Sequence, residues 1–65
     1  MKIRYFADTD TLYIQFRNNE IVESRDIDER VLIELDVLGQ LCAMTVEHAQ
    51  ESADLHHFSF EQIAA

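Results

Sequence analysis

The sequence predicts an α+β, β-rich fold: a single antiparallel meander sheet of four to five strands, closed by a short C-terminal helix. Three observations point there. Apolar residues alternate with polar ones over TLYIQFR (11–17), VLIELDV (31–37) and LCAMTVEHA (41–49), the period of half-buried strands. The chain has no proline and one glycine, so its turns fall at Asp, Asn and breaks in the pattern. Near Ala49 the alternation stops and a helical period becomes available.

KIRYF (2–6) is the first short strand, with Ile3 and Tyr5 alternating against Lys2, Arg4 and Phe6. Asp8 and Asp10 bracket the next turn, where carboxylates accept bonds from neighbouring backbone. In 11–17, Leu12, Ile14 and Phe16 share one face. RNNE (17–20) reads as a hairpin turn, because asparagine tolerates positive φ. IVESRDIDE (21–29) is polar and reads as an exposed or edge strand. Gly39 sits where a second hairpin needs a left-handed backbone. The strand 41–49 places Cys42, Met44 and Val46 on one face. AQESAD can form about one helical turn. SFEQIAA (59–65) carries Ser59 as an N-cap with Gln62 three positions on, the spacing of a capping box. So short a helix must dock on the sheet to persist. Phe58, Phe60 and Ile63 are its candidate covering residues. The 65 residues form a single domain, 1–50 the β-meander and 51–65 the helical tail.

Length and charge narrow the function. A chain of this size buries only about 60% of its unfolded surface, so its core is thin, and a partner or metal commonly compensates. A homodimer is the first expectation. One cysteine, Cys42, excludes an intramolecular disulfide. It reads as a buried, inert thiol, and with no signal peptide or apolar span the expected compartment is the cytoplasm. Five basic residues against thirteen acidic ones give a net charge of −8. All five cations fall within the first thirty positions. Nucleic acid and anionic membrane surfaces are disfavoured, since both are held by cations. A basic protein partner is permitted.

No constellation in the chain specifies an enzyme. There is no Ser-His-Asp spacing, phosphate loop or nucleotide motif, and no cofactor is expected. All three histidines crowd into VEHAQESADLHHF (46–58), beside three carboxylates. His48, Glu51, His56 and His57 are the candidate metal ligands, because imidazole plus carboxylate suits zinc or iron. Against this, a metal site needs three or four converging ligands, and adjacent His56 and His57 point opposite ways in extended chain. Asp26 and Asp28 read as one strand face, with Arg30 beside them. That pattern suits a solvated edge strand protected by charge as well as an acid/base pair.

The segments KIRY, DTLYIQF and VLIELDVLGQL, in that order, resemble the small prokaryotic domain-of-unknown-function family 2283. Asp10, Leu12, Tyr13 and Ile14 match its D-x-L-Y-I segment, and Glu23, Asp28, Val31, Asp36 and Gly39 fall at its later positions. The resemblance covers about residues 1–50. The family often continues with Gly, an aliphatic residue, Glu and another aliphatic residue, where this chain has Ala43, Met44, Thr45 and Val46. Some members are similar to antitoxin partners encoded beside small toxin-like proteins. That role suits an acidic chain with no catalytic constellation, and the expectation is a non-enzymatic interaction module that binds a small basic protein through the carboxylates of its acidic C-terminal half, Glu34, Asp36, Glu47, Glu51 and Asp54. The alternative is a metal-binding protein or small metal-dependent enzyme using the C-terminal histidines.

Overall fold

The structure, a computed structural model, describes residues 1–64. Five strands form one antiparallel sheet: β1 (Lys2–Phe6), β2 (Thr11–Gln15), β3 (Glu23–Asp26), β4 (Val31–Leu35) and β5 (Leu41–Glu47). One short helix follows, α1 (Ala49–Ser52). The expected class holds, a mostly β antiparallel sheet with a short helix after it.

The spatial order is β1-β2-β5-β4-β3. β3, β4 and β5 run as consecutive hairpins, and β2 lies beside β5, the arrangement of a Greek key. The expected hairpin at RNNE does not form. Both edges of β2 are taken, one by β1 and the other by β5, so residues 16–22 instead cross to the far edge. Two side-chain bonds hold that crossing against the β4–β5 turn: Arg17 Nη1 donates to Gln40 Oε1 at 2.7 Å and Asn19 Nδ2 to Asp36 Oδ2 at 2.9 Å. β5 takes the centre because it is the longest strand and its small buried residues, Cys42 and Ala43, let neighbours close in on both sides.

Each turn has an identifiable cause. Asp10 adopts a left-handed backbone (φ 53°) at the end of the β1–β2 turn. Asp28 Oδ1 accepts from the backbone N–H of Arg30 and Val31 in the β3–β4 turn. Asp28 is therefore a turn residue outside β3, and it does not form a one-face carboxylate pair with Asp26. Gly39 (φ 77°) closes the β4–β5 turn as expected. Leu35 pairs with Leu41 while Glu34 pairs with Ala43, so a bulge at Cys42 bends β5 there. β5 ends at Glu47 because His48 turns left-handed (φ 52°) and redirects the chain into α1.

The register sorts the side chains into two faces. Ile3–Ile14–Met44–Ile33 and Tyr5–Leu12–Val46–Val31 form two apolar rows on one face. The opposite face carries Arg4–Tyr13–Thr45–Leu32–Asp26 and Lys2–Gln15–Ala43–Glu34–Ser24. Among the described residues only Leu35, Cys42, Ala43 and Ala49 are buried apolar residues. The apolar rows stay half-buried, with Ile3 exposed. The molecule is accordingly a flat layer, 35 × 34 × 18 Å.

The helical tail is corrected. Helix occupies 49–52, the stretch read as one helical turn, whereas residues 59–64 carry no helix and the capping box at Ser59 and Gln62 is not used. Phe58, Phe60 and Ile63 are each about three-quarters exposed, so no docking offsets the cost of ordering so short a segment. Ala65, the last residue of that expected helix, lies outside the described residues. No described helix is long and apolar enough to cross a membrane.

Candidate functional site

The polar face of the sheet separates its charges by strand position. At the β1–β2 end, Lys2, Arg4, Tyr13, Gln15, Arg17 and Asn18 line a hollow of about 430 Å³ with no carboxylate in its wall. At the other end, Glu29, Arg30, Glu47, His48 and Glu51 surround a hollow of about 400 Å³. Asp26, Asp28 and Glu47 line an adjoining one. Arg30 is the lone Lys or Arg in these two walls, and its Nη2 reaches Glu51 Oε2 at 3.3 Å. Both partners are substantially solvated, so that ion pair adds little to stability and leaves most of the local negative charge unneutralised.

The register produces this separation. β3 and β1 are the two edges of the sheet; edge strands are where charge guards against stray strand pairing. β1 carries Lys2 and Arg4, and β3 carries Glu23, Arg25 and Asp26. On β3 the Glu23 carboxylate bonds the Arg25 guanidinium, which holds Glu23 below and Arg25 above their ordinary ranges. The basic hollow was not foreseen. The sequence places every cation before Val31, but only the β1–β2 pairing and the 16–18 turn bring three of them to one spot.

The expected partner residues divide. Glu34 lies on the polar face in β4, paired with Ala43. Glu47 and Glu51 belong to the acidic end. Asp54 is exposed in the tail, where Oδ1 accepts the His56 backbone N–H at 3.1 Å and Oδ2 lies 2.8 Å from His57 Nδ1. Asp36 stands apart. It is 5% exposed, and its oxygens accept from Asn19 Nδ2 and from the backbone N–H of Leu38 and Gln40. Those bonds, the Asn19 one foremost and the turn N–H groups after it, hold its carboxyl below the ordinary range against the opposing effect of burial. Asp36 organises the β4–β5 turn and presents no surface for a partner.

The four candidate metal ligands do not converge on one point. His48 and Glu51 line the acidic hollow, His56 lines a separate hollow with residues 50–55, and His57 pairs with Asp54. Among the described residues no three His, Cys, Asp or Glu side chains converge on a metal-sized point. Arg30 lines one hollow with Asp26 and Asp28, and its ion pair is made with Glu51.

Tyr5 and Asp10 form a small latch. Tyr5 Oη donates to Asp10 Oδ1 at 2.6 Å, and that bond raises the tyrosine above its ordinary pKa of 10.0. The same Asp10 oxygen accepts the Gln50 backbone N–H, while Asp10 O accepts from Ala49 N–H. The β1–β2 turn thereby fixes the start of α1, and with it the placement of Glu51. Cys42 is fully buried, as its apolar setting predicted.

A family model described as "Protein of unknown function (DUF2283)" matches residues 2–50. No curated protein and no solved structure matches the chain.

Proposed function

The chain belongs to the DUF2283 family, and on that premise we propose that it is a non-enzymatic protein-interaction module, an antitoxin-like partner of a small basic protein, working as a homodimer. The observation that carries this reading is the acidic end of the polar face. There Asp26, Asp28, Glu29, Glu47 and Glu51 crowd around one arginine, whose single ion pair leaves the others uncompensated. A cation-rich surface complements that field, and such complementarity raises encounter rate and selects partners. The position of α1, fixed through Asp10, sets Glu51 beside Arg30. A cytoplasmic setting suits the buried, unpaired thiol of Cys42.

The test is binding of the full chain to the product of the adjacent reading frame, read by calorimetry at low and moderate salt. Binding at low salt that weakens about tenfold when Glu47→Gln and Glu51→Gln are combined, and again as salt rises, supports the reading. No binding at low salt, or binding indifferent to those substitutions, overturns it.

A further inference from the structure

We infer that the apolar face of the sheet is the homodimer interface, two copies packing face to face as a β-sandwich with both polar faces outward. The inference deepens the proposed function, and rests on it only for the homodimer. The first argument is area. A folded monomer of 7.6 kDa exposes about 4,300 Å², whereas this chain exposes 5320 Å². The excess, about 1,000 Å², is of the size that one partner buries in a stable interface, roughly 800 Å². Its sources are the uncovered face and the extended tail, whose Phe58, Phe60 and Ile63 stand in solvent. The radius of gyration agrees: 13.1 Å against about 10.7 Å for a compact chain of this length.

The second argument is charge. The rows Ile3–Ile14–Met44–Ile33 and Tyr5–Leu12–Val46–Val31 hold no charged side chain at neutral pH. The β3 residues that extend this face are Glu23, opposite Leu35, and Arg25, opposite Ile33. They neutralise each other in an ion pair, so a two-fold contact through this face brings no net charge to the seam, although each chain carries −8. The other face carries charges of both signs, Lys2 and Arg4 on β1 and Asp26, Glu34 and Glu47 on β3, β4 and β5. A sheet-to-sheet contact there would strip water from all of them, a cost the apolar face does not carry. Two sheets with one apolar face each are the usual components of an aligned sandwich, about 10 Å apart. The chain's own helix does not fill this role, being held at the β1–β2 turn by Asp10. In the sandwich the two acidic ends lie on opposite outer surfaces. Each dimer therefore offers two separate partner sites, and a two-to-two complex follows.

The experiment is light scattering on the full chain from low to high micromolar concentration. Wild type is expected at twice the 7.6 kDa chain mass. Ile14→Asp and Met44→Asp are expected at the chain mass, and Tyr13→Asp, which points to the polar face, is expected to remain a dimer. A second measurement covers aspartate variants that fail to fold. In a Cys42→Ala background, Ile14→Cys is expected to cross-link to a two-chain species with a short bismaleimide, and Tyr13→Cys is not. Wild type at the chain mass overturns the inference. So does a dimer that Tyr13→Asp breaks and Ile14→Asp spares, or cross-linking through Tyr13→Cys alone. A monomer that still binds the adjacent gene product refutes the dimer and leaves the partner reading standing. A dimer that binds no such product does the reverse.

Discussion

Leu35→Ala is the most direct probe of what holds this thin sheet together. Leu35 is 6% exposed. It sits at the end of β4, opposite Leu41 across the bulge and Glu23 across the β3 pairing. The substitution removes three buried carbons, which at about 0.8 kcal/mol each amounts to roughly 2.4 kcal/mol of lost transfer free energy. Incomplete collapse around the vacated space raises the cost to about 3 kcal/mol. For 65 residues the total stability is on the order of 3–10 kcal/mol, so one side chain accounts for a third of it or more. Urea denaturation at fixed protomer concentration, followed by far-ultraviolet circular dichroism, measures the effect. Concentration must be held constant because the proposed dimer would add to apparent stability. With a slope of about 1 kcal/mol per molar urea, the midpoint falls by roughly 2–3 M. Leu38→Ala is the matched control. Leu38 lies three positions on and is 78% exposed, so its truncation costs under about 0.5 kcal/mol. Equal midpoints for the two variants would refute the assignment of Leu35 to the core.

Four further outcomes follow from particular contacts. Gly39→Ala meets no neighbouring atom and suffers only its positive φ of 77°, so it costs about 1 kcal/mol in thermal or urea melts, and Gly39→Asn costs less. The Asp36 carboxyl is held below the ordinary 3.8 in the folded chain, so its stabilising bonds are complete above that value and are lost as pH falls through the lowered pKa. The stability gap between wild type and Asp36→Asn should close in acid; a gap that widens below pH 3.8 contradicts the turn assignment. Removing everything after Leu55 takes away Phe58, Phe60 and Ile63, which make no core in the single chain, so the melting temperature should move by less than about 2 °C. A large drop would place the tail against a second copy. Dialysis against chelator should leave the melting curve of the untagged chain unchanged, since His48, His56 and His57 occupy separate surroundings; a fall of several degrees would reopen the metal alternative.

The strands were legible because their signal is local. Alternation over residues 2–6, 11–15, 31–35 and 41–47 requires nothing beyond neighbours two apart, and the sequence pattern located each within two residues. The turn at Gly39 was likewise readable from a single residue that tolerates positive φ, and the turn at Asp10 from carboxylates that cap turns, its left-handed backbone being visible only in the structure. The β2–β3 hairpin failed for the complementary reason. Asn18 and Asn19 are good turn residues, but the partner of β2 is decided by which strand competes best for its edge. β5, thirty residues downstream, wins that contest.

The candidate site shows the same division. From the sequence alone came the excess of carboxylates, the confinement of all cations to the first thirty residues, and a buried thiol. Only the tertiary structure turned Asp36 inward, dispersed the histidines, gathered Lys2, Arg4 and Arg17 into one hollow, and set Glu47 and Glu51 around Arg30. The alternation of a strand determines which residues share a face. Long-range pairing determines which strands lie side by side, and hence which charges become neighbours.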